Sequence, residues 1–192
     1  MKMKSFFAVI MCAFCFTACA DIPPVRETVP EEEQTVTVPP EDGWTAEELM
    51  SVSYLDGIRL SYPLTLRDLG SAYGIAFDFE DDNGNTAYCI DSGFMVLQSY
   101  AYIKFSPDVS EPSPDARINK LIAIDENISV NGVRKRDDSD AVISALGQPD
   151  SIEERDDNFI HYIYLDRESG SELIDVRIIK DSGTVMFLDL IL

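Results

Sequence analysis

The sequence predicts an α+β fold made of two related lobes, each packing one or two short helices on an antiparallel sheet. Three observations predict it. Apolar, strand-like runs separated by Asn-Gly and Ser-Gly turns dominate from residue 75 onward. Helix signals are few and short. A similar order of signals also appears twice, displaced by 73 to 75 residues, a period too long for a solenoid and suited to a duplication. Residues 44–192 suffice for a core that buries roughly two thirds of the unfolded chain's surface.

Taken in chain order, residues 1–18 read as a secretory leader. Lys2 and Lys4 precede an apolar run from Phe6 to Phe16, and no acid occurs before Asp21. That run is shorter than the roughly 20 residues a membrane-crossing helix needs, so a cleaved leader is expected rather than a membrane span. Phe16-Thr17-Ala18-Cys19 resembles a bacterial lipobox, with Phe16 where Leu is usual. The resemblance implies that Cys19 becomes the acylated amino terminus, with the bilayer as its first partner on the extracytoplasmic side of a cell or outer membrane. Cys12 and Cys15 fall in the leader, so their Cys-x-x-Cys spacing carries no redox or metal meaning. Cys89 is then alone in the folded part and is expected to be a small buried thiol.

Residues 19–43 read as the acylated cysteine followed by a disordered acidic tether. Five prolines, seven acids and one base leave little apolar surface to bury. Such a segment reaches up to about 70 Å if fully polyproline-like.

The first lobe is expected over residues 44–126 and the second over 127–192. Turn glycines Gly57 and Gly132 each introduce an apolar stretch, Ile58-Arg59-Leu60 and Val133-Arg134. A short helix is expected after each. Thr65 with Asp68, then Leu69, Tyr73 and Gly74, marks one over 65–74. Asp138 or Ser139, Val142, Leu146, Gly147 and Pro149 mark the other over 138–147. Strands should follow at 75–80, 86–90, 94–98, 100–105 and 120–125, then at 159–165, 173–179 and 185–192.

Gly132, Asp138, Val142 and the Leu146-Gly147-Gln148-Pro149 run resemble the small bacterial lipoproteins of outer-membrane assembly, which share a fold with tandem β-lactamase-inhibitor proteins. The resemblance covers about 20 residues well. It implies helices packed on a three- or four-stranded sheet, and a concave sheet surface that holds another protein.

The chain carries 35 acids against 15 Lys and Arg, a formal charge of -20. Nucleic-acid binding depends on cations neutralising phosphates, so that partner class is excluded. No glycine-rich phosphate loop and no Gly-x-Ser-x-Gly elbow occurs, and His161 is the single histidine. Neither zinc nor a serine triad is expected, and no cofactor or catalytic residue is assigned. Asp91-Ser92-Gly93 and Asp181-Ser182-Gly183 superficially pair like an aspartic protease, yet Phe94 and Lys180 spoil the context and both read as hairpin turns. Asp78, Glu80, Asp82 and Asn83-Gly84-Asn85 group oxygens without the glycine and glutamate positions of a calcium loop. Arg134-Lys135-Arg136, answered by Asp137, Asp138 and Asp140, is a self-balanced turn.

The expected function is therefore binding without catalysis, an envelope-interaction module gripping a protein partner of unknown identity. Tyr100, Tyr102 and Lys104 share one face of a strand while Ala101, Ile103 and Phe105 share the other, so the tyrosine-bearing face is the candidate contact surface. The proline-containing stretch 106–116 is expected as a long exposed loop. Two alternatives from other classes are an envelope hydrolase using carboxylates such as Asp78, Glu80 or Asp166, and a lipoprotein that binds a small solute between its lobes.

Overall fold

Thr45 and Glu48 start the described fold. The Thr45 hydroxyl accepts from the Glu48 backbone N–H, and the Glu48 carboxylate accepts from the Thr45 N–H, a reciprocal capping box that opens helix α1 (Ala46–Ser51). The computed structural model describes residues 34–70, 73–80, 86–91, 100–107, 109, 112–123, 128–155 and 157–192, with backbone alone for 77, 91, 100 and 123. All belong to one unit, Glu31–Leu192.

After α1 come β1 (Ser53–Leu55) and β2 (Ile58–Arg59), joined by Asp56-Gly57. Both turn residues have positive φ, 50° and 77°, as a type I′ hairpin turn requires. Further along the chain, Asn131-Gly132 repeats that geometry at 46° and 87°, directly after β7 (Ile128–Val130). β7 pairs antiparallel with β1, and β2-β1-β7 form a small sheet.

The larger sheet holds eight antiparallel strands. They are β3 (Gly74–Glu80), β4 (Thr86–Asp91), β5 (Tyr100–Phe105), β6 (Ile118–Ala123), β8 (Ser151–Glu153), β9 (Phe159–Leu165), β10 (Glu172–Ile179) and β11 (Val185–Ile191). Their spatial order is β3-β4-β5-β6-β11-β10-β9-β8. A single sheet thus runs through the boundary expected between residues 126 and 127, joined where β11 pairs with β6 through Leu188↔Ala123 to Ile191↔Lys120. The fold is α+β with strands strongly dominant.

Helix α2 (Ser139–Leu146) lies where the sequence places it, with the Asp138 carboxylate accepting from the Ala141 N–H and Gly147 closing the helix at φ 90°. The helix expected over 65–74 does not form. Thr65 forms a bridge to Arg117 and residues 66–69 are turns, Asp68 accepts from both the N–H and the hydroxyl of Thr65, and Gly74 already belongs to β3. The acid three residues after Thr65 closes a local side-chain turn instead of capping a helix, the standard competition between Asp or Thr side chains and helical backbone. This turn is tied to the end of the 106–116 stretch: Arg67 N–H donates to the Pro114 carbonyl and its guanidinium grips Asp115.

Residue alternation gives the larger sheet two unlike faces. Ile90, Ala101, Ile103, Leu121, Ile174, Val176, Leu188 and Leu190 pack with Leu49 and Met50 of α1, Val142 and Leu146 of α2, and Leu55, Ile128 and Val130 of the small sheet, and these make the core. The Trp44 indole N–H donates to the Leu146 carbonyl at 2.9 Å, locking the entry to α1 onto the end of α2. The sheet's outer strands are poorly suited to further pairing. β3 has a bulge between Ile75 and Phe77 and exposes Asp78 and Glu80, while β8 is only three residues long.

Candidate functional site: the second face of the sheet

Cross-strand register sets the opposite face. Tyr102↔Ile122, Lys104↔Lys120, Ile122↔Asp189, Asp175↔Asp189, Arg177↔Phe187 and Arg177↔His161 each place two side chains side by side on it. None of these residues joins the core cluster. Tyr102, Lys104, Lys120, Ile122, Arg177 and Phe187 are half-buried, the exposure expected of a sheet surface that no described helix covers.

At the middle of this face lies a charged chain spanning β6, β11, β10 and β9. Asp189 is fully buried, and its Oδ2 accepts from the Lys120 ammonium at 2.8 Å and from the Arg177 guanidinium. Its other oxygen, Oδ1, is buried without a hydrogen-bond partner. Asp175, 3% exposed, holds the His161 Nδ1 at 2.9 Å and lies 3.8 Å from both Arg177 Nε and Arg155. Burial pushes the Asp175 carboxyl above its ordinary range, outweighing the hydrogen bond and charge of His161, and Asp189 opposite adds to the push. Two lysines directly opposite each other, Lys104 and Lys120, carry a like-charge cost that the Asp189 carboxylate offsets on one side.

Aromatic pairs flank the charges. Phe79 and Tyr102 meet edge to face with centroids 5.0 Å apart, and Phe159 and Phe187 do so at 5.8 Å with Arg177 stacked over Phe187 at 5.2 Å. The surface thus combines aromatic area, a stacked guanidinium and internally neutralised charge.

The structure brings two of the three expected contact residues onto this face. Tyr102 and Lys104 lie there, and Ala101, Ile103 and Phe105 point into the core. Tyr100 opens β5 opposite Asp91, and its side chain lies outside the described residues. Cys19 also lies outside them, as do Asp82 to Asn85 of the oxygen-rich hairpin and the Ser92-Gly93 part of the first Asp-Ser-Gly triplet. The second triplet is the hairpin turn between β10 and β11, with Gly183 at φ 68°.

Asp78 and Glu80 stand exposed on β3, away from Asp166 in chain position and in role. Asp166 is structural: its carboxylate accepts from the backbone N–H groups of Ala46, Glu168 and Ser169. Burial raises its pKa, yet those three bonds together hold the carboxyl below its ordinary range. Asp175 and Asp189 form a pair of facing carboxylates, but at 3% and 0% exposure neither presents an oxygen to a substrate.

The sequence gives His161 neither a zinc site nor a triad, and nothing local connects it to Asp175, Arg177 or Asp189. Acids at alternate positions within otherwise apolar strands, as in Ile174-Asp175-Val176 and Leu188-Asp189-Leu190, are the signal that marks them. Cys89 is a buried thiol on this same face, opposite Tyr102. Comparison with known protein families, with curated proteins and with solved structures finds no match for the chain.

Proposed function

We propose that this is a lipid-anchored, extracytoplasmic binding module whose two related halves form one sheet, and that the second sheet face grips another protein without catalysis. The observation that carries the reading is the buried chain Lys120–Asp189–Arg177–Asp175–His161 beneath half-buried aromatics on a face outside the core. Buried ionic groups contribute little net stability, so their presence on a face that no described helix covers favours specificity over fold maintenance.

A duplicated origin is supported by topology. β3-β4-β5-β6 and β8-β9-β10-β11 occupy mirrored positions in the strand order, and the last strand of each set meets the other at the centre. β1 and β7 pair through Tyr54↔Ser129, two positions 75 residues apart, the displacement seen in the sequence. Such self-complementary contacts are those of a two-fold arrangement. Anchoring rests on the Cys19 lipobox. No helix among the described residues is long and apolar enough to cross a membrane.

The test uses photo-crosslinking residues placed in the full chain in intact cells. Positions 102, 104 and 187 are expected to give a discrete adduct, and exposed Ser51 and Ser144, on the two helices, none. Adducts of equal yield from both sets would refute the docking face. Mass measurement of the mature amino terminus tests the anchor: acylated Cys19 is expected, and a bare or internal Cys19 refutes it.

A further inference from the structure

We propose that residues 34–40 are a releasable latch whose docked state shortens the leash between Cys19 and the fold. Its consequence for reach rests on the lipid-anchor reading above; the latch itself does not.

Asn131 holds the middle of the segment. Thr37 N–H donates to Asn131 Oδ1 at 2.8 Å, and Asn131 Nδ2 donates back to the Thr37 carbonyl at 2.8 Å. The same Nδ2 reaches the Ala145 carbonyl of α2 at 2.6 Å, so one fully buried amide joins the segment, the β7 turn and the helix. Nearer the amino end, Thr35 N–H donates to the Tyr54 hydroxyl at 3.2 Å, and Gln34 Oε1 accepts from Ser129 and Arg134, each at 2.8 Å. Gly132 permits this close passage, since a β-carbon there would meet a Val36 methyl at 3.0 Å.

Apolar anchoring is slight by comparison. Val36 is 61% exposed and Val38 89%. A segment held mainly by hydrogen bonds, with both valines in water and, of its apolar residues, only Pro39 and Pro40 half-buried, belongs to the least stable part of a fold and opens without the core. Release ends before Trp44, whose indole is bonded to Leu146, and the Asp42–Arg167 ion pair guards that side. Opening the latch frees residues 34–40, which lengthen the leash by about 22 Å at about 3.1 Å per residue.

The experiment uses the full acylated chain and two variants that open the latch from opposite sides. Asn131→Gly removes the amide while keeping the positive φ of the turn, and Thr37→Pro removes the donor while leaving Asn131 intact. In both, the Thr35 amide should exchange at least tenfold faster while the Ile174 amide of the core is unchanged. On vesicles carrying a lipid dye, energy transfer to a dye at Ser144→Cys should fall in both variants. Unchanged Thr35 exchange in both, or equal acceleration at Thr35 and Ile174, overturns the latch. Faster Thr35 exchange with unchanged energy transfer overturns the leash and leaves the latch and the anchor standing, the anchor being decided by the mass of the mature amino terminus.

Discussion

Replacing Asp189 with Leu tests whether the charged chain under the second face opposes or supports folding. The side chain is fully buried and takes both the Lys120 ammonium and the Arg177 guanidinium on one oxygen. Breaking a buried ion pair from one side costs about 3–5 kcal/mol, because the remaining charge keeps its desolvation penalty. Here Lys120 and Arg177 are each 26% exposed and Arg177 keeps Asp175 at 3.8 Å, so the low end applies, about 3 kcal/mol. With a urea m-value of about 2 kcal/mol/M, the unfolding midpoint should drop by about 1.5 M. The triple variant Lys120→Met, Arg177→Met, Asp189→Leu removes all three charges and should return to within about 1 kcal/mol of the parent, since apolar replacements of such triads are commonly neutral or stabilising. It should also lose the crosslinks at positions 102 and 187. A triple variant no more stable than the single one would refute the claim that the charges are kept for recognition, as would a single variant whose midpoint does not move.

Three further outcomes follow from individual contacts. Gly147→Ala places a side chain at φ 90°, ψ -173°, a region open essentially to glycine, so stability should fall by about 1–3 kcal/mol and the thermal midpoint by several degrees in calorimetry. Thr45→Ala removes the hydroxyl half of the α1 capping box and should cost about 1 kcal/mol by urea titration, with helix α2 unaffected in hydrogen exchange. Asp175 has a folded-state pKa above its unfolded value of 3.8, so its contribution is fully present below about pH 4 and is lost as pH rises through the folded pKa. Asp175→Asn should remove that downward slope from the stability–pH curve, and an unchanged slope would show that another group causes it.

The second half of the chain was readable because its local signals agree with one another: Asp138 caps, Gly147 closes and Pro149 stops helix α2, and three apolar runs separated by Ser-Gly turns become β9, β10 and β11. In the first half, local and tertiary preferences diverge. Thr65 and Asp68 have helix-start chemistry, but the chain there lies against residues 114–118 and makes a turn and a bridge to Arg117 instead. The Thr45-x-x-Glu48 signature of α1 is present in the sequence, but it opens a helix of only six residues, too short for an apolar period to mark it. The end of that tether, from residue 34, is held by Asn131, a contact across 94 positions that no local pattern announces. The second face of the sheet was legible in part. Strand alternation alone put Tyr102 and Lys104 on one side, whereas the ionic chain depends on register among β6, β11, β10 and β9, which sequence periodicity does not fix.

β11 is the latest strand in chain order, yet it sits between β6 and β10, inside the sheet. Until residues 185–191 arrive, β3 to β6 and β8 to β10 are two separate ribbons, each ending in an unpaired inner border. Assembly therefore waits on a single late insertion that bridges both, and the arrangement is slow to nucleate and hard to complete by halves. A chain cut before Val185 should accumulate as sticky ribbons rather than as a smaller working version of the whole.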